Sequence, residues 1–531
     1  MAKFNPKRRR AGSLLCRLAL ILTPFFASRG FSMDQRDPNE MVLAAFFPKN
    51  LLLKNLGDWQ TFETKILFHT STRLLRMRGG VPEGDLAKSW EVAPDMKEFT
   101  FKLRAGAKFD DGTAITSQIV AFNLRRSFLY GQFSKLYLPL LVAHEDLKSP
   151  TSPFGGIETP DAETIKVKFT KPVSTFIEHL DMLSFGIFRP QDVEVSRDEI
   201  HPNFKASGLY RLTKMAPEGV VMELNKAHWR SAEPHLIRRI KLIPASEKNE
   251  AARVIDGEVD AARCWEGTTE YREAVKKSLP KTDVGPVMFF LGVDFSSPPL
   301  KRYPRLARDI NIALDRDALV KKVNLELNAA YLPLKGVTGN IDAITEQENK
   351  RWTARDQEDA RNRLKKDYPE VANGHLPILL AHSGIPRSEI PVRILSEQLN
   401  ALGLVTKIVK RSLTEMLANV RVGDFSAGFV GHGIDALTPS GALQFLANSD
   451  HRHTNLPPTH DLFRFYATLP QARTYEEHVA LVKKYNDLNA ESGFIIPLLA
   501  SEMVNIFAAR FDVSGMAPHD DNWRVDDLRL K

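Results

Sequence analysis

The sequence of 531 residues contains very little cysteine, only Cys16 and Cys264. Cys16 lies in an N-terminal segment that we expect to be removed, which leaves one thiol in the mature protein. A single thiol can form neither an internal disulfide nor a zinc site built from several cysteines. The folded protein must therefore be stabilised by hydrophobic cores, and its length predicts about three domains or one large two-lobed body.

The sequence also lacks the motifs of the commonest enzymes. It has no GxSxG nucleophile elbow, no HExxH zinc motif, no phosphate-binding P-loop and no paired-cysteine metal motif. These absences argue against the corresponding catalytic classes, and we expect no catalytic residues and no cofactor. A secreted hydrolase or another enzyme with a different kind of site stays open as an alternative.

An excess of positive charge is missing from the folded part of the chain. Of the formal net charge of +8, seven positive charges lie in the first 32 residues, which contain no acid, so +1 remains for residues 33–531. Binding to nucleic acid needs a clustered excess of Lys and Arg on the folded protein. We therefore expect no nucleic-acid partner.

The N-terminal segment has the composition of a secretory signal peptide. The basic run KRRR is followed by an apolar run from Leu14 to Phe26 and then by small residues, which predicts cleavage near residue 32. Arg17 and Pro24 interrupt the apolar run. A short membrane anchor is the alternative, but spanning a bilayer takes about 18 apolar residues and this run is shorter. We expect a mature protein exported to the periplasm.

Hydrophobic patterning predicts an α/β protein. FTFKLR (Phe99 to Arg104) and TIKVKF (Thr164 to Phe169) alternate apolar and polar residues, as half-buried strands do, and we expect them to be antiparallel neighbours. Further strands are predicted at VVMEL, IKLIP and MFFLGVDF, which start at residues 220, 240 and 288. Helical periodicity predicts helices at 306–323, 355–364, 392–402 and 478–488. Strands and helices in alternation indicate α/β layers.

The paired carboxylates Asp110 and Asp111 look at first like a catalytic pair. They precede Gly112 at a sharp turn from strand to helix, where we expect the two side chains to point apart and into solvent. Thr116 is placed to cap the helix, with Ile115 and Val120 positioned as a hydrophobic staple. The sequence therefore predicts an architectural corner rather than an active site.

The segment GDLAKSWEVAPDMKEFTFKLRAGAKFDDGTAIT, from residue 84 onward, carries a family pattern. Its matching residues are Leu86, Ala87, Ser89, Trp90, Glu91, Phe101, Leu103, Arg104, Gly106, Phe109, Asp111, Gly112 and Thr116. Later segments match in order: SGLY, LNKAHW, DGEVDAA, INIALDRDALV, LSEQLNALGLVTKI and FIIPLL. Over residues 40–530 the chain resembles the family 5 solute-binding proteins of ABC importers, which include oligopeptide, dipeptide and nickel carriers.

The resemblance implies a periplasmic binding protein-like fold (class II, cluster C) with two hinged lobes and mixed sheets. It implies lobe I at 33–283 with a small subdomain near 67–172, lobe II at 284–493, and a return to lobe I at 494–531. A peptide or similar small solute would lie between the lobes, and the monomeric protein would deliver it to an inner-membrane ABC permease. A cytoplasmic sensor with the same binding fold is a further alternative.

The resemblance also implies ligand-binding residues. In peptide-binding relatives, the loop that corresponds to GFVGHGIDALTPSG has an aspartate that pairs with the ammonium group of the peptide, and Asp435 matches it. His432 stands in place of a tryptophan and Thr438 in place of a second aspartate. Asp435 as a simple turn cap is an equal alternative. Trp265 is a further candidate that could face the cleft, with a packed core tryptophan as an at least equal alternative.

The histidines at 451–453, with His460 nearby, suggest a metal site. Their spacing fits no standard ligand pattern, and the segment ANSDHRHTNLPPTHD is rich in turn-forming residues. We therefore predict a solvated loop and no metal.

Overall fold

The structure is a computed structural model of the chain. It describes residues 37–45, 47–48, 50–56, 61–78, 81–131, 134–195, 198–246, 249–265, 268–323, 328–329, 350–383, 386–411, 425–433, 460–466, 468–516 and 524–531. The predicted signal peptide lies outside these residues.

Strands and helices alternate along the described chain. The strands are β1 (Glu40–Ala45), β2 (Leu75–Arg78), β3 (Val81–Gly84), β4 (Ala87–Val92), β5 (Glu98–Leu103), β6 (Ile157–Asp161), β7 (Thr164–Lys168), β8 (Val193–Glu194), β9 (Glu199–Ile200), β10 (Tyr210–Ala216), β11 (Gly219–Leu224), β12 (Arg239–Pro244), β13 (Ala261–Trp265), β14 (Lys281–Val293), β15 (Asn328–Ala329), β16 (Ile378–His382), β17 (Thr406–Lys410), β18 (Ala427–Gly433), β19 (Ile495–Phe507), β20 (Phe511–Asp512) and β21 (Arg529–Leu530). The α-helices are α1 (Thr61–Thr70), α2 (Ser117–Tyr130), α3 (Ser134–Tyr137), α4 (Phe176–His179), α5 (Glu250–Ile255), α6 (Thr269–Lys276), α7 (Pro298–Arg302), α8 (Leu306–Ala313), α9 (Arg316–Val323), α10 (Ala354–Lys366), α11 (Pro369–Ala372), α12 (Pro386–Ala401), α13 (Asp461–Tyr466) and α14 (Tyr475–Ser492).

The largest sheet in the described residues has 11 strands, in the order β10-β11-β12-β1-β13-β19-β14-β18-β16-β17, with β15 paired to β19. Strands β12, β1 and β13 run parallel in one half of it, and β17, β16 and β18 run parallel in the other half. The long strands β14 and β19 pair antiparallel with each other between these two groups. They carry the sheet from one half of the molecule to the other.

The buried apolar residues form separate cores in the two halves. One large core joins residues of the N-terminal half, such as Met41, to residues near the C-terminus, such as Val525. Another joins residues between Leu291 and Leu499. We call the half that contains both chain ends the first lobe, and the other half the second lobe.

A smaller four-stranded sheet, β4-β5-β7-β6, lies in the first lobe. It contains the two segments predicted as antiparallel neighbours: β5 and β7 pair antiparallel, with Phe101 opposite Ile165, which confirms that prediction. Both side chains are fully buried, in a core that also takes in residues of α2. The alternating pattern of these strands is thus explained by one face that packs against α2.

The carboxylates of the corner between β5 and α2 serve the fold, as predicted, although they do not simply point into solvent. Asp110 Oδ1 accepts a hydrogen bond from the backbone N–H of Ala206 at 2.9 Å. Asp111 Oδ1 accepts one from the N–H of Thr113 at 3.0 Å, and its Oδ2 forms an ion pair with Arg189. The corner is thereby tied to neighbouring loops of the first lobe.

The backbone of the same corner follows the prediction closely. Gly112 has a φ of 88°, a conformation that glycine adopts without strain. Thr116 occupies the position before the first residue of α2, but its side chain makes no capping hydrogen bond, so this part of the prediction is wrong. Ile115 and Val120 are both buried in the core beneath the helix, as a hydrophobic staple requires.

The predicted bounds of several elements differ from the observed ones, and for two of them the structure gives the reason. The predicted helix 306–323 is broken into α8 and α9, because Leu314 is extended (φ −63°, ψ 134°). The buried Arg316 stabilises the break, since its guanidinium donates to the carbonyl groups of Asn311 and Pro497 at 3.0 and 2.8 Å. Strand β14 begins at Lys281, well before the predicted start, because irregularities in its pairing with β19 accommodate its glycine and proline.

Gly493, at the end of α14, is a position where we predict a large effect of a side chain. Its φ is +69°, and a Cβ atom there would lie 2.6 Å from the carbonyl carbon of Ala307. We expect Gly493→Ala to lower the free energy of unfolding by about 2 to 3 kcal/mol, measured by urea denaturation, because a strained backbone and a backbone contact add together. Gly106 is the matched control, because its φ is +71° with nothing within 4 Å of the added Cβ. We expect Gly106→Ala to cost about 1 kcal/mol, and equal losses in both variants would contradict a role for the contact with α8.

Candidate functional site

The carboxyl ends of the two groups of parallel strands meet at one level of the large sheet. In the first lobe, β13 ends at Trp265, which pairs with Met503 of β19, and Met503 pairs with Gly285 of β14. In the second lobe, β18 ends at Gly433, which pairs with Val287 of β14. Ligands of open α/β sheets bind outside the carboxyl ends of the strands. We call this part of the sheet the interlobe level, and it is the candidate site.

The spacing of the strands gives the width of the site. Strands β19 and β14 lie between Trp265 and Gly433. The three strand spacings between β13 and β18 correspond to about 14 Å across the sheet. Trp265 and Gly433 also differ in level by two residues of β14, which is about 7 Å along the strands. Their Cα atoms are therefore roughly 16 Å apart. A few residues of extended peptide, or a small molecule of similar length, span such a distance.

Trp265 is half-buried at the interlobe level. Its ring centroid lies 5.5 Å from that of Phe289, with an angle of 40° between the two planes. Both rings pack against the buried side chains of Val287 and Met503 in a small apolar cluster, and Phe289 also packs against the core of the second lobe. The role of Trp265 in binding stays a prediction.

The other predicted ligand residues lie on or after β18. His432 is in β18, where it pairs with Met288 of β14. Because β19 and β14 separate β18 from β13, the structure does not make His432 and Trp265 neighbours in the sheet. Asp435 and Thr438 belong to 434–450 and lie outside the described residues. Their predicted roles stay predictions.

Phe289 is a residue of this site that the sequence analysis did not identify. Its ring lies directly over Gly431 of β18, because a Cβ atom at 431 would be 2.7 Å from Cε1 and 2.9 Å from Cδ1 of that ring. The ring also stacks on Phe429, with centroids 5.7 Å apart and planes at 10°. The glycines of GFVGHG could have indicated that a side chain packs closely against this strand, since glycine in a strand often marks the close approach of another group.

A buried cation lies near the carboxyl end of β1. Lys65 of α1 is 3% exposed, and its Nζ donates a hydrogen bond to the carbonyl group of Ala44. Burial lowers the pKa of Lys65 to about 8, an effect that Glu250 opposes and Arg263 reinforces. At neutral pH the lysine is therefore still largely protonated, and its positive charge stabilises the end of β1. No local sequence pattern marks this contact between a helix and a strand end.

The described residues contain no group of three or more His, Cys, Asp or Glu side chains arranged to hold a metal ion. The histidines at 451–453 lie outside them. His460 is described, and its Nδ1 accepts a hydrogen bond from the backbone N–H of Leu462 at 3.2 Å, at the start of α13. Of the helices in the described part of the chain, none combines the length and the apolar character that crossing a bilayer takes.

The chain is similar to known proteins of one family. A family model described as "Bacterial extracellular solute-binding proteins, family 5 Middle" matches residues 81–453. The chain is 23% identical over 382 residues to a probable D,D-dipeptide-binding periplasmic protein, DdpA, of Escherichia coli (strain K12), which covers 70% of this chain and 69% of that relative. It is 24% identical over 392 residues to the periplasmic oligopeptide-binding protein OppA of the same strain, which covers 71% of each.

A solved structure shows the same fold. The crystal structure of Haemophilus influenzae OppA in complex with the peptide RPPGFSPFR superposes with a TM-score of 0.76, over 93% of this chain and 99% of that one, at 17% identity. At this identity the likeness shows the fold alone. It confirms the predicted fold class, a mixed α/β protein with the two-lobed architecture of periplasmic binding proteins.

Proposed function

This chain belongs to the bacterial extracellular solute-binding proteins of family 5, and we propose that it is the extracytoplasmic binding component of an ABC importer. It captures a peptide or a similar small solute between its lobes and delivers it to a permease in the inner membrane. Closure of the lobes over the solute is favoured by contacts that only the closed state makes with it. The protein binds its solute without changing it chemically.

The observation that carries this proposal is the meeting of the carboxyl ends of β13 and β18 beside one segment of β14. A ligand at that level touches strand ends from both lobes, so binding and lobe closure are coupled. The substrate class follows from the relatives, since DdpA and OppA are named as dipeptide-binding and oligopeptide-binding proteins.

We propose four residues of the chain as ligand contacts. Asp435 pairs with an ammonium group of the solute, His432 near the end of β18 and Thr438 make further contacts with it, and Trp265 binds from the first lobe. We further propose that the lobes divide near residues 283 and 494, within or beside the two long strands that connect them. The hinge then lies in β14 and β19.

Mass spectrometry of the solute that co-purifies with the protein tests the proposed function. We expect mild denaturation to release about one equivalent of a peptide or related compound. When the emptied protein is then incubated with a defined peptide mixture, we expect it to retain a peptide unchanged. Products that accumulate beyond the amount of protein would instead indicate the alternative, a hydrolase or another enzyme.

The site of action in the cell is tested separately. We expect a periplasmic extract to contain a processed protein whose N-terminus lies near residue 33, as N-terminal sequencing would show. An unprocessed chain in the cytoplasm would favour the alternative of a sensor or regulator that uses the same fold.

A further inference from the structure

The apolar cluster at the interlobe level combines two half-buried rings with two buried aliphatic side chains. Its aromatic members, Trp265 and Phe289, are half-buried, whereas Val287 and Met503, which lie beside them on the same face of the sheet, are 5% and 8% exposed. The two aromatic residues are therefore the accessible part of the cluster. Accessible aromatic surface at a ligand site is the feature that most often contributes binding energy.

The orientation of Phe289 is fixed by its neighbours on β18. Gly431 lets the ring lie flat against the strand, and Phe429, which is 4% exposed, stacks on it almost in parallel. A ring that is held in this way loses little conformational freedom when a ligand covers it. Phe289 is thus preorganised for stacking.

Small residues surround the aromatic pair in the sheet. Gly285 lies opposite Met503, and Gly433 and Ser501 lie on either side of Val287. These three residues place no bulky side chain next to the two rings. The strands that end at this level, β13 and β18, belong to different lobes, so a group bound on the rings lies near both.

We propose that Trp265 and Phe289 form an aromatic platform that binds a flat apolar group, so that the preferred solute is a peptide or amino-acid derivative with an aromatic side chain. This inference rests on the proposed function and narrows its substrate class. The platform supplies the side-chain preference, because stacking favours a planar ring over an aliphatic or charged chain of similar size. The backbone and amino terminus of the solute are recognised elsewhere.

Calorimetry with matched tripeptides tests the platform. The peptides share one backbone and carry Phe, Trp, Leu, Ala or Lys at one position in turn, with the other positions held as Ala. We expect the parent protein to bind its best aromatic peptide about tenfold or more tightly than the Ala peptide. We expect Trp265→Leu, which keeps an apolar side chain but removes the flat ring, to lose most of this preference while it still binds the Ala peptide.

Trp352→Leu is the matched control, because Trp352 is also half-buried but packs against the core of the second lobe. It should keep the aromatic preference. Thermal melts of both variants show whether either one is unfolded, and Trp265→Phe provides a milder change that retains a ring and should retain part of the preference. Equal affinity of the parent protein for all the peptides, or an equal loss for every peptide in Trp265→Leu, would overturn the platform while leaving the proposed function in place. Failure to bind any peptide would overturn both.

Discussion

Replacing Asp526 by Asn is expected to lower the free energy of unfolding by about 2 to 3 kcal/mol, because it removes a carboxylate that two half-buried arginines share. Asp526 Oδ2 accepts a hydrogen bond from Arg76 Nη1 at 3.1 Å and another from Arg230 Nη1. The side chains of Asp526, Arg76 and Arg230 are 16%, 15% and 21% exposed. The neutral amide keeps the shape of the carboxylate but removes its charge, which leaves Arg76 paired with Glu83 and Arg230 paired with Glu233.

The expected size of the effect follows from the position of Asp526 in the chain. It belongs to the C-terminal segment that returns to the first lobe, and its two arginine partners lie at residues 76 and 230, far away in sequence. The neighbouring Arg524 makes a similar contact with Asp181. A single carboxylate thus holds together three distant parts of the chain. Urea denaturation, followed by circular dichroism, measures the loss.

Asp512→Asn is the control in the same C-terminal segment. Asp512 accepts a hydrogen bond from the backbone N–H of Ser514 at 2.9 Å in an exposed setting, so we expect its replacement to lower the free energy of unfolding much less than that of Asp526 does. Similar losses for the two variants would show that the arginine contacts of Asp526 contribute no more than an exposed hydrogen bond.

The pH dependence gives a second test of Asp526. Burial alone would raise the pKa of this carboxyl group, but Arg230, Arg524 and Arg76 hold it well below its usual range. A carboxyl group whose pKa is lower in the folded state stabilises the protein above its pKa in the unfolded state, about 4, and loses this effect as the pH falls further. The difference in stability between the parent protein and Asp526→Asn should therefore be constant from pH 5 to 8 and shrink below pH 4. A difference that stays constant down to pH 2 would contradict this account.

Besides Asp526, a buried histidine also makes the stability of the parent protein depend on acid pH. The comparison with Asp526→Asn separates the contribution of Asp526 from that of the histidine. His179 is buried, and burial lowers its pKa to about 3. Because the pKa of histidine in an unfolded chain is about 6.5, protonation favours the unfolded state as the pH falls below that value. This contribution is present in both proteins and cancels in their difference.

Local sequence was sufficient to predict those elements whose structure depends on interactions between residues close together in the chain. The corner at Gly112 and the strands β5 and β7 were predicted, because turn residues, alternation and a hydrophobic staple act over a few residues. The break between α8 and α9 was not predicted, because it depends on Arg316, whose guanidinium reaches the carbonyl group of Pro497 in β19. The helical period of the apolar residues continues through that break and carries no sign of it.

The residues of the candidate site also fall into two groups, those that the local sequence indicated and those that depend on contacts between distant segments. Trp265 could be proposed from the sequence because it follows a segment that matches a family motif, and its role stays a prediction. Phe289 was missed because its role depends on Gly431, which lies opposite it only after β14 and β18 have paired. Lys65 was missed for a similar reason, since its partner is the carbonyl group of Ala44 in a different element. Contacts between distant segments therefore determine most of the site, and a single sequence does not record them.

Replacing Asp435 by Ala is expected to weaken binding of a peptide with a free amino terminus by about 100- to 1000-fold. An ammonium group that loses its water inside a closed cleft needs a negatively charged partner, and the proposal assigns that part to Asp435. The carboxylate in turn needs a cation, because a buried charge without a partner is costly. Calorimetry with the parent protein and the variant, at one salt concentration, gives the ratio of the two dissociation constants.

The N-acetylated form of the same peptide separates charge pairing from general damage to the site. Acetylation removes the positive charge, so the parent protein should bind this form weakly, and Asp435→Ala should bind it about as well as the parent does. Asp461→Ala is the control variant, because Asp461 is exposed and pairs with Arg464 on the surface of the second lobe, so both affinities should stay unchanged. If Asp435→Ala instead lowers thermal stability and leaves both affinities intact, Asp435 caps a turn, and the ammonium group of the solute is bound by another residue.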